Sequence, residues 1–196
     1  FVSRGTVTAA NQSLNTTLPS AVRTASTLLF VDVRNFSGFA ESAAPESVVQ
    51  FLNEITNVIT SAVRERAGDI DKLIGDGALS NFEGMEREKR AIAAAQAILK
   101  QLVELNLPRG VGIGIYSGDV IATVVGSGER KDFTVIGDSV NVAARLCSIA
   151  LEGQIVVDCE TIRNISPKLD GFGPEEVITV KGRDGLLKVC RWSIFD

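Results

Sequence analysis

Two aspartates and a lysine stand out for where they fall. Asp32 comes near the end of the apolar run STLLFVDV (residues 26–33), and Asp76 sits in the turn Gly75-Asp76-Gly77 of IDKLIGDGALSNF (residues 70–82). In that second stretch Ile70, Leu73 and Ile74 read as one strand, and Ala78, Leu79 and Phe82 as the next. Gly and Asp between them form the kind of turn that tight hairpins favour. Carboxylates at two neighbouring strand ends converge, and such a pair suits hard divalent cations that also bridge a polyphosphate. Taken by itself the hairpin has a plainer reading: Asp is a common turn residue, and Lys72 can lie on a wet strand face. The segment Arg34-Asn35-Phe36-Ser37-Gly38 follows Asp32 directly and leads back to a helix, so its backbone N–H groups are candidates for phosphate oxygens. No GxxxxGK[ST] occurs, which excludes a P-loop.

The chain has no histidine. Ser-His and Cys-His nucleophile pairs, HExxH metal sites and histidine bases are therefore excluded. A metal would be held mainly by carboxylates, which points to Mg²⁺ or Mn²⁺. The 196 residues suffice for one good core and an extension, and 45% apolar with 22% charged residues is globular composition. A net charge of −4 without a long basic run argues against a nucleic-acid partner or a polybasic membrane anchor. No apolar stretch approaches the roughly 20 residues that span a bilayer, and no signal-peptide pattern is present. Cys147, Cys159 and Cys190 are odd in number and widely spaced, as in a reduced, cytoplasmic protein.

The elements that must position these groups follow from periodicity. Residues 1–24 are rich in Ser, Thr and Asn and read as a lead-in or linker; residues 25–196 read as one domain. STLLFVDV is a buried strand. Pro45 and Glu46 open a helix with Val48, Leu52, Ile55, Ile59 and Ala62 at helical spacing, which Gly68 ends. The hairpin follows, with its first strand (69–74) expected beside STLLFVDV. EREKRAIAAAQAILKQLVEL (86–105) is a second amphipathic helix, stopped by Pro108. VGIGIYSG and DVIATVVG read as a strand pair over 111–126. FTVIG leads into a third helix over 138–150, and QIVVD, VITV and LKVCRWSIF are later strands. The order β-α-β-β-α-β predicts an α+β, ferredoxin-like core, two helices on one face of an antiparallel sheet, with a C-terminal helix and strand extension.

In this order the motifs resemble the class III nucleotidyl cyclase catalytic domain. FVDVRNFSGFAE resembles the family's first metal motif and DKLIGDG its second. GSGERKDFTVIGDSVNVAARL (126–146) resembles the segment for base recognition and transition-state stabilisation, and VKGRDGLLKVCRW the closing strands. FVSRGTV looks like the start of the helix joining upstream sensor modules to this domain. The resemblance implies that Asp32, Asp76 and the Val33 carbonyl hold two metals, and that Asn35, Phe36 and Ser37 meet phosphate. It implies further that Lys72 and Thr134 read the base, Asn141 orients the ribose, Arg145 stabilises charge on the α-phosphate, and Lys181 contacts phosphate. Asn141 and Arg145 are four apart, hence on one helix face. Without the pattern the plainer readings are favoured: Asn141 as a cap or surface residue, Arg145 as a surface ion-pair former, Lys181 as solvent-facing and Gly126–Gly128 as a turn.

Adenine shows an acceptor at N1 and a donor at its 6-amino group, and guanine the reverse. Lys72 only donates, which suits adenine; the Thr134 hydroxyl can accept from the amino group or donate to a carbonyl. The expectation is thus an adenylate cyclase domain making cyclic AMP and pyrophosphate from ATP. The resemblance also implies a homodimer with sites at its interface, control by an upstream sensor domain and, from Thr134 where the family often has Asp, the bicarbonate-responsive subgroup. Asn35 departs from the family's usual Gly, and the segment before Thr134 looks short for a dimer-contacting arm. The rivals are a guanylate or dual-specificity cyclase, a catalytically silent nucleotide-binding dimer module, and a plain ferredoxin-like interaction domain.

Overall fold

The computed structural model describes residues 21–127, 130–165, 171–179 and 185–195. The first strand, β1 (Val22–Val33), leads through a short helix α1 (Phe36–Ser42) to the long helix α2 (Pro45–Glu65). The hairpin β2 (Asp69–Ile74) and β3 (Gly77–Phe82) comes next, then α3 (Arg87–Leu105) and β4 (Val111–Ser127). β5 (Arg130–Ile136), α4 (Asp138–Ile149), β6 (Gln154–Asp158), α5 (Cys159–Arg163), β7 (Glu176–Thr179) and β8 (Leu186–Ser193) complete the described elements. The strands form one sheet in the order β2-β3-β1-β4-β6-β8-β7, with β5 on β4. Its β2-β3-β1-β4 portion, with α2 and α3, is the expected α+β ferredoxin-like core, and α4 to β8 are the C-terminal extension.

Alternation along β1 assigns the layers. Leu29, Val31 and Val33 face a core built from Phe51, Ile55 and Ile59 of α2 and Ile92, Ile98 and Leu99 of α3. Leu28 faces the other way, into a second cluster with Leu79, Val120, Val135 and Ala143. Val142 and Leu146 of α4 pack on Val156 and Val189 on that side. The apolar stripes of α2 and α3 therefore cover one face, and α4 covers the opposite face.

Four expectations are corrected. The strand beside β1 is β3, paired Val31↔Ala78 to Thr27↔Phe82, and β2 is the sheet edge. Ala78, Leu79, Ser80 and Phe82 are all buried, whereas β2 is exposed from Lys72 on, so the more apolar strand takes the interior place. Residues 111–126 are not a strand pair but part of the single 17-residue strand β4. Its partner β1 starts at Val22, before the expected start at 26, and pairs continuously from Val22↔Ala122 to Val33↔Val111. Gly118 is no turn: a Cβ there would lie 2.5 Å from Ser139 Oγ, so it lets α4 approach the strand. At the end of α2 the left-handed residue is Ala67 (φ 53°), while the Gly68 amide donates to Val63 O at 2.9 Å. Gly68 is needed for space, since its Cβ would come within 2.4 Å of the Phe82 ring.

Candidate active site

Asp32 is the penultimate residue of β1 and, like Leu28 and Phe30, points to the α4 side of the sheet. Asp76 is in the β2–β3 turn, where Ile74 pairs directly with Gly77 and Gly75 takes φ 59°. The hairpin tip lies tight against β1, because a Cβ on Gly77 would come within 2.3 Å of Val31 O. Asp32 and Asp76 are close enough to interact electrostatically. Burial raises the Asp32 carboxyl above its usual range, Arg34 opposes this, and the Asp76 charge adds to it. Val33 has its side chain in the core, so its carbonyl is what it offers a ligand.

Arg34 ties this corner to the C-terminal end of α4. Its guanidinium ion-pairs with Asp32 Oδ2 and donates to the Asp32 carbonyl at 3.2 Å, the Cys147 carbonyl at 3.3 Å and the Ala150 carbonyl at 3.2 Å. The pair uses Oδ2 and leaves Oδ1 for a cation. Asn35 adopts the left-handed conformation (φ 52°, ψ 38°) that favours glycine and initiates α1. Phe36 packs its ring on Phe51, which leaves the backbone of residues 35–37 to meet a ligand.

The second group of residues lies across β2 and β5. Lys72 Nζ donates to Thr134 Oγ1 at 2.5 Å. Thr134 is buried, 4% exposed, while the Lys72 side chain is 42% exposed. Between them stands Asp71. Ile70 pairs with Ser80 and Lys72 with Leu79, so Asp71 is the extra residue of a β-bulge. Its carboxylate accepts from the Val135 amide at 3.0 Å and from Thr134 Oγ1 at 2.8 Å, and pairs with Lys72 at 3.3 Å. Burial raises its pKa, and Thr134, Lys72 and Val135 oppose that shift.

Asn141 and Arg145 lie on the side of α4 away from its buried residues Val142, Ala143 and Leu146. Arg145 Nη1 is buried without a hydrogen-bond partner among the described residues. An unpaired buried guanidinium nitrogen is costly unless an anion meets it.

Residues 20–190 match the family described as the adenylate and guanylate cyclase catalytic domain. The chain belongs to that family. It is 32% identical over 182 residues to an adenylate cyclase of Anabaena cylindrica, an alignment covering 83% of this chain and 36% of that relative's length. Among solved structures it resembles the guanylyl cyclase Cya2 with a TM-score of 0.75 and 27% identity, over 87% of this chain and 92% of the other. It resembles the adenylyl cyclase CyaB from P. aeruginosa equally, with a TM-score of 0.75 and 26% identity over 88% and 95%. Cyclases named for either base thus share this fold.

Within the cyclase domain the expected site residues fall into three groups: Asp32 with Asp76, Lys72 with Thr134, and Asn141 with Arg145. No hydrogen bond joins one group to another among the described residues. Lys181 lies outside the described residues. Sequence reading passed over Asp71 and the Arg34 guanidinium, and the Arg34 amide, expected to be open to phosphate, instead donates to the Gly110 carbonyl at 2.9 Å. Two adjacent charges in the apolar run IDKLI break strand alternation, and that was the available sign of a bulge. Among the described residues no three His, Cys, Asp or Glu side chains converge. The groups that could hold a metal here are the Asp32 and Asp76 carboxylates with the Val33 carbonyl, hard oxygens of the kind that suits Mg²⁺ or Mn²⁺.

Proposed function

We propose that this domain converts ATP to 3',5'-cyclic AMP and pyrophosphate. The observation that carries the reading is the contact between Lys72 and Thr134: a fixed donor beside a hydroxyl, presented together across two strands. Lys72 gives adenine N1 a hydrogen bond and leaves guanine N1–H without an acceptor. An unmatched buried polar group costs about 1–3 kcal/mol, or roughly one to two decades of preference. Asp32 and Asp76, with the Val33 carbonyl, would hold two divalent ions. When bound, these ions supply the positive charge that acidifies the ribose 3'-hydroxyl and neutralises the triphosphate.

The residues of the chain do the positioning. Asn141 orients the ribose so that its 3'-oxygen lies in line with the bond from the α-phosphorus to the bridging oxygen. The 3'-oxygen loses its proton to solvent and bonds to phosphorus, the bond to the β-phosphate breaks, and pyrophosphate leaves with the electron pair. Arg145, whose Nη1 has no hydrogen-bond partner among the described residues, takes the charge that builds on the α-phosphate. Backbone amides of Asn35, Phe36 and Ser37 meet the terminal phosphates, and Lys181 adds a further contact.

The reading includes a homodimer in which the carboxylates of one copy work with Lys72, Thr134, Asn141 and Arg145 of the other. Two observations support it. No hydrogen bond joins the three groups among the described residues, and Leu73, Ile74, Ile121, Val125 and Ile136 leave apolar surface exposed on the strands that carry Lys72 and Thr134 and on their neighbour β4. An upstream sensor and bicarbonate responsiveness remain parts of the same proposal. No helix among the described residues is long and apolar enough to cross a membrane.

The second reading, a guanylate cyclase, draws on the likeness to Cya2. The test is cyclic nucleotide formation from ATP and GTP in parallel, with Mg²⁺ and then Mn²⁺, before and after chelation. Cyclic AMP lost on chelation and restored by metal is expected. Cyclic GMP as main product would overturn the adenine reading, and no product from a chain that dimerises and binds ATP would favour a silent nucleotide-binding module.

A further inference from the structure

The hydrogen bonds around Thr134 determine which way its hydroxyl proton points. Thr134 Oγ1 lies 2.5 Å from Lys72 Nζ and 2.8 Å from Asp71 Oδ2. A hydroxyl has one proton and two lone pairs, an ammonium only donates, and an ionised carboxylate only accepts. The Thr134 proton therefore goes to Asp71, and Lys72 takes one lone pair. The other acceptor within reach, Val135 O at 3.4 Å, competes for the same proton and supplies none. Thr134 is left with one lone pair to offer.

Asp71 is built to hold this arrangement. Its side chain is 3% exposed, so it does not reach a substrate itself. The bulge turns it towards β5, where its other oxygen, Oδ1, is fixed by the Val135 amide. Oδ2 receives both Thr134 and the Lys72 ammonium, and these donors favour the ionised carboxylate against the burial that raises its pKa.

We propose that Asp71 is a positioning residue that sets base selectivity: by capturing the Thr134 proton it makes the hydroxyl a pure acceptor. An acceptor at that point suits the 6-amino group of adenine and opposes the 6-carbonyl of guanine, each oxygen lacking a proton to share. The inference rests on reading Lys72 and Thr134 as the base site. It places the discrimination in three residues, two of which face the base and one of which does not.

The test is Asp71→Asn. Its carbonyl oxygen keeps the Val135 amide, and its NH₂ donates to Thr134 Oγ1, releasing the threonine proton for guanine. The kcat/KM ratio of ATP over GTP should fall about tenfold or more, and Thr134→Val added to Asp71→Asn should remove that gain on GTP. Competition of ATP and GTP against a fluorescent ATP analogue reads the same ratio as affinity. An unchanged ratio in a folded Asp71→Asn chain would overturn the proposal while leaving the cyclase reading intact. Thr134→Val alone is the second arm and does not depend on Asp71→Asn folding. It should lower ATP use and not lower GTP use, whereas equal losses on both nucleotides would overturn the proposal. Absence of both turnover and nucleotide binding in the unaltered chain would instead remove the base-site reading, and this inference with it.

Discussion

Gly77→Ala tests whether the hairpin tip must sit where it does. The new Cβ would lie 2.3 Å from the backbone oxygen of Val31. A carbon and a carbonyl oxygen normally approach no closer than about 3.3 Å, so the two must part by about 1 Å. Val31 cannot yield easily, since it pairs with Ala78 on one side and Ile113 on the other, inside the sheet. The hairpin end must move instead, and Asp76 is the next residue along it. Overpacking of this kind costs about 1–3 kcal/mol. A 1 Å misplacement in a reacting constellation costs on the order of a hundredfold in rate. Gly75→Ala is the control: Gly75 has φ 59° and nothing within 4 Å of a built Cβ, so the cost is backbone strain of about 1–2 kcal/mol without a push on Asp76. Cyclic AMP formation at saturating ATP, beside thermal melting, separates the two. Gly77→Ala should lose about two decades of rate, while Gly75→Ala should lose stability and keep most of its activity. Full activity in Gly77→Ala, or equal inactivation by both, would refute the reasoning.

Two further outcomes are expected. Arg145→Ala should lower kcat by about two to three decades with little change in KM, because its Nη1, without a partner among the described residues, is assigned to charge that appears only in the transition state; steady-state kinetics with ATP check this. Gly68→Ala should lower the unfolding free energy by about 1–3 kcal/mol through its clash with Phe82, with KM for ATP unchanged in the folded protein, as denaturant melts and kinetics together would show.

Much of the fold was legible because its strands and helices carry strong patterns. STLLFVDV reads as a strand from its apolar run, and the stripe ending in Ile55, Ile59 and Ala62 is the face that α2 buries. What escaped was set by tertiary partners. Gly118 and Asp119 look like a turn, yet β1 pairs straight past them, and the glycine serves the approach of α4. Either hairpin strand could lie beside β1, and only the burial of Ala78, Leu79 and Phe82 on assembly decides between them. Asp32 and Lys72 stand out as charges at the end or middle of apolar strands, and Asp76 as the charge in the turn between two of them. Asp71 did not, because its role depends on a one-residue bulge and on a strand 63 positions away. Arg34 is similar: its carbonyl partners come from the far end of α4.

The central claim is that the carboxylates of one copy work on a nucleotide whose base and ribose the other copy holds. Mixing Asp76→Ala with Arg145→Ala tests it most directly. Each variant alone should make almost no cyclic AMP. With random pairing of equal amounts, half of the dimers combine the two variants and each carries one intact site, so about a quarter of the unaltered activity should return. A mixture as inactive as its components, from chains that do exchange partners, would contradict a shared site.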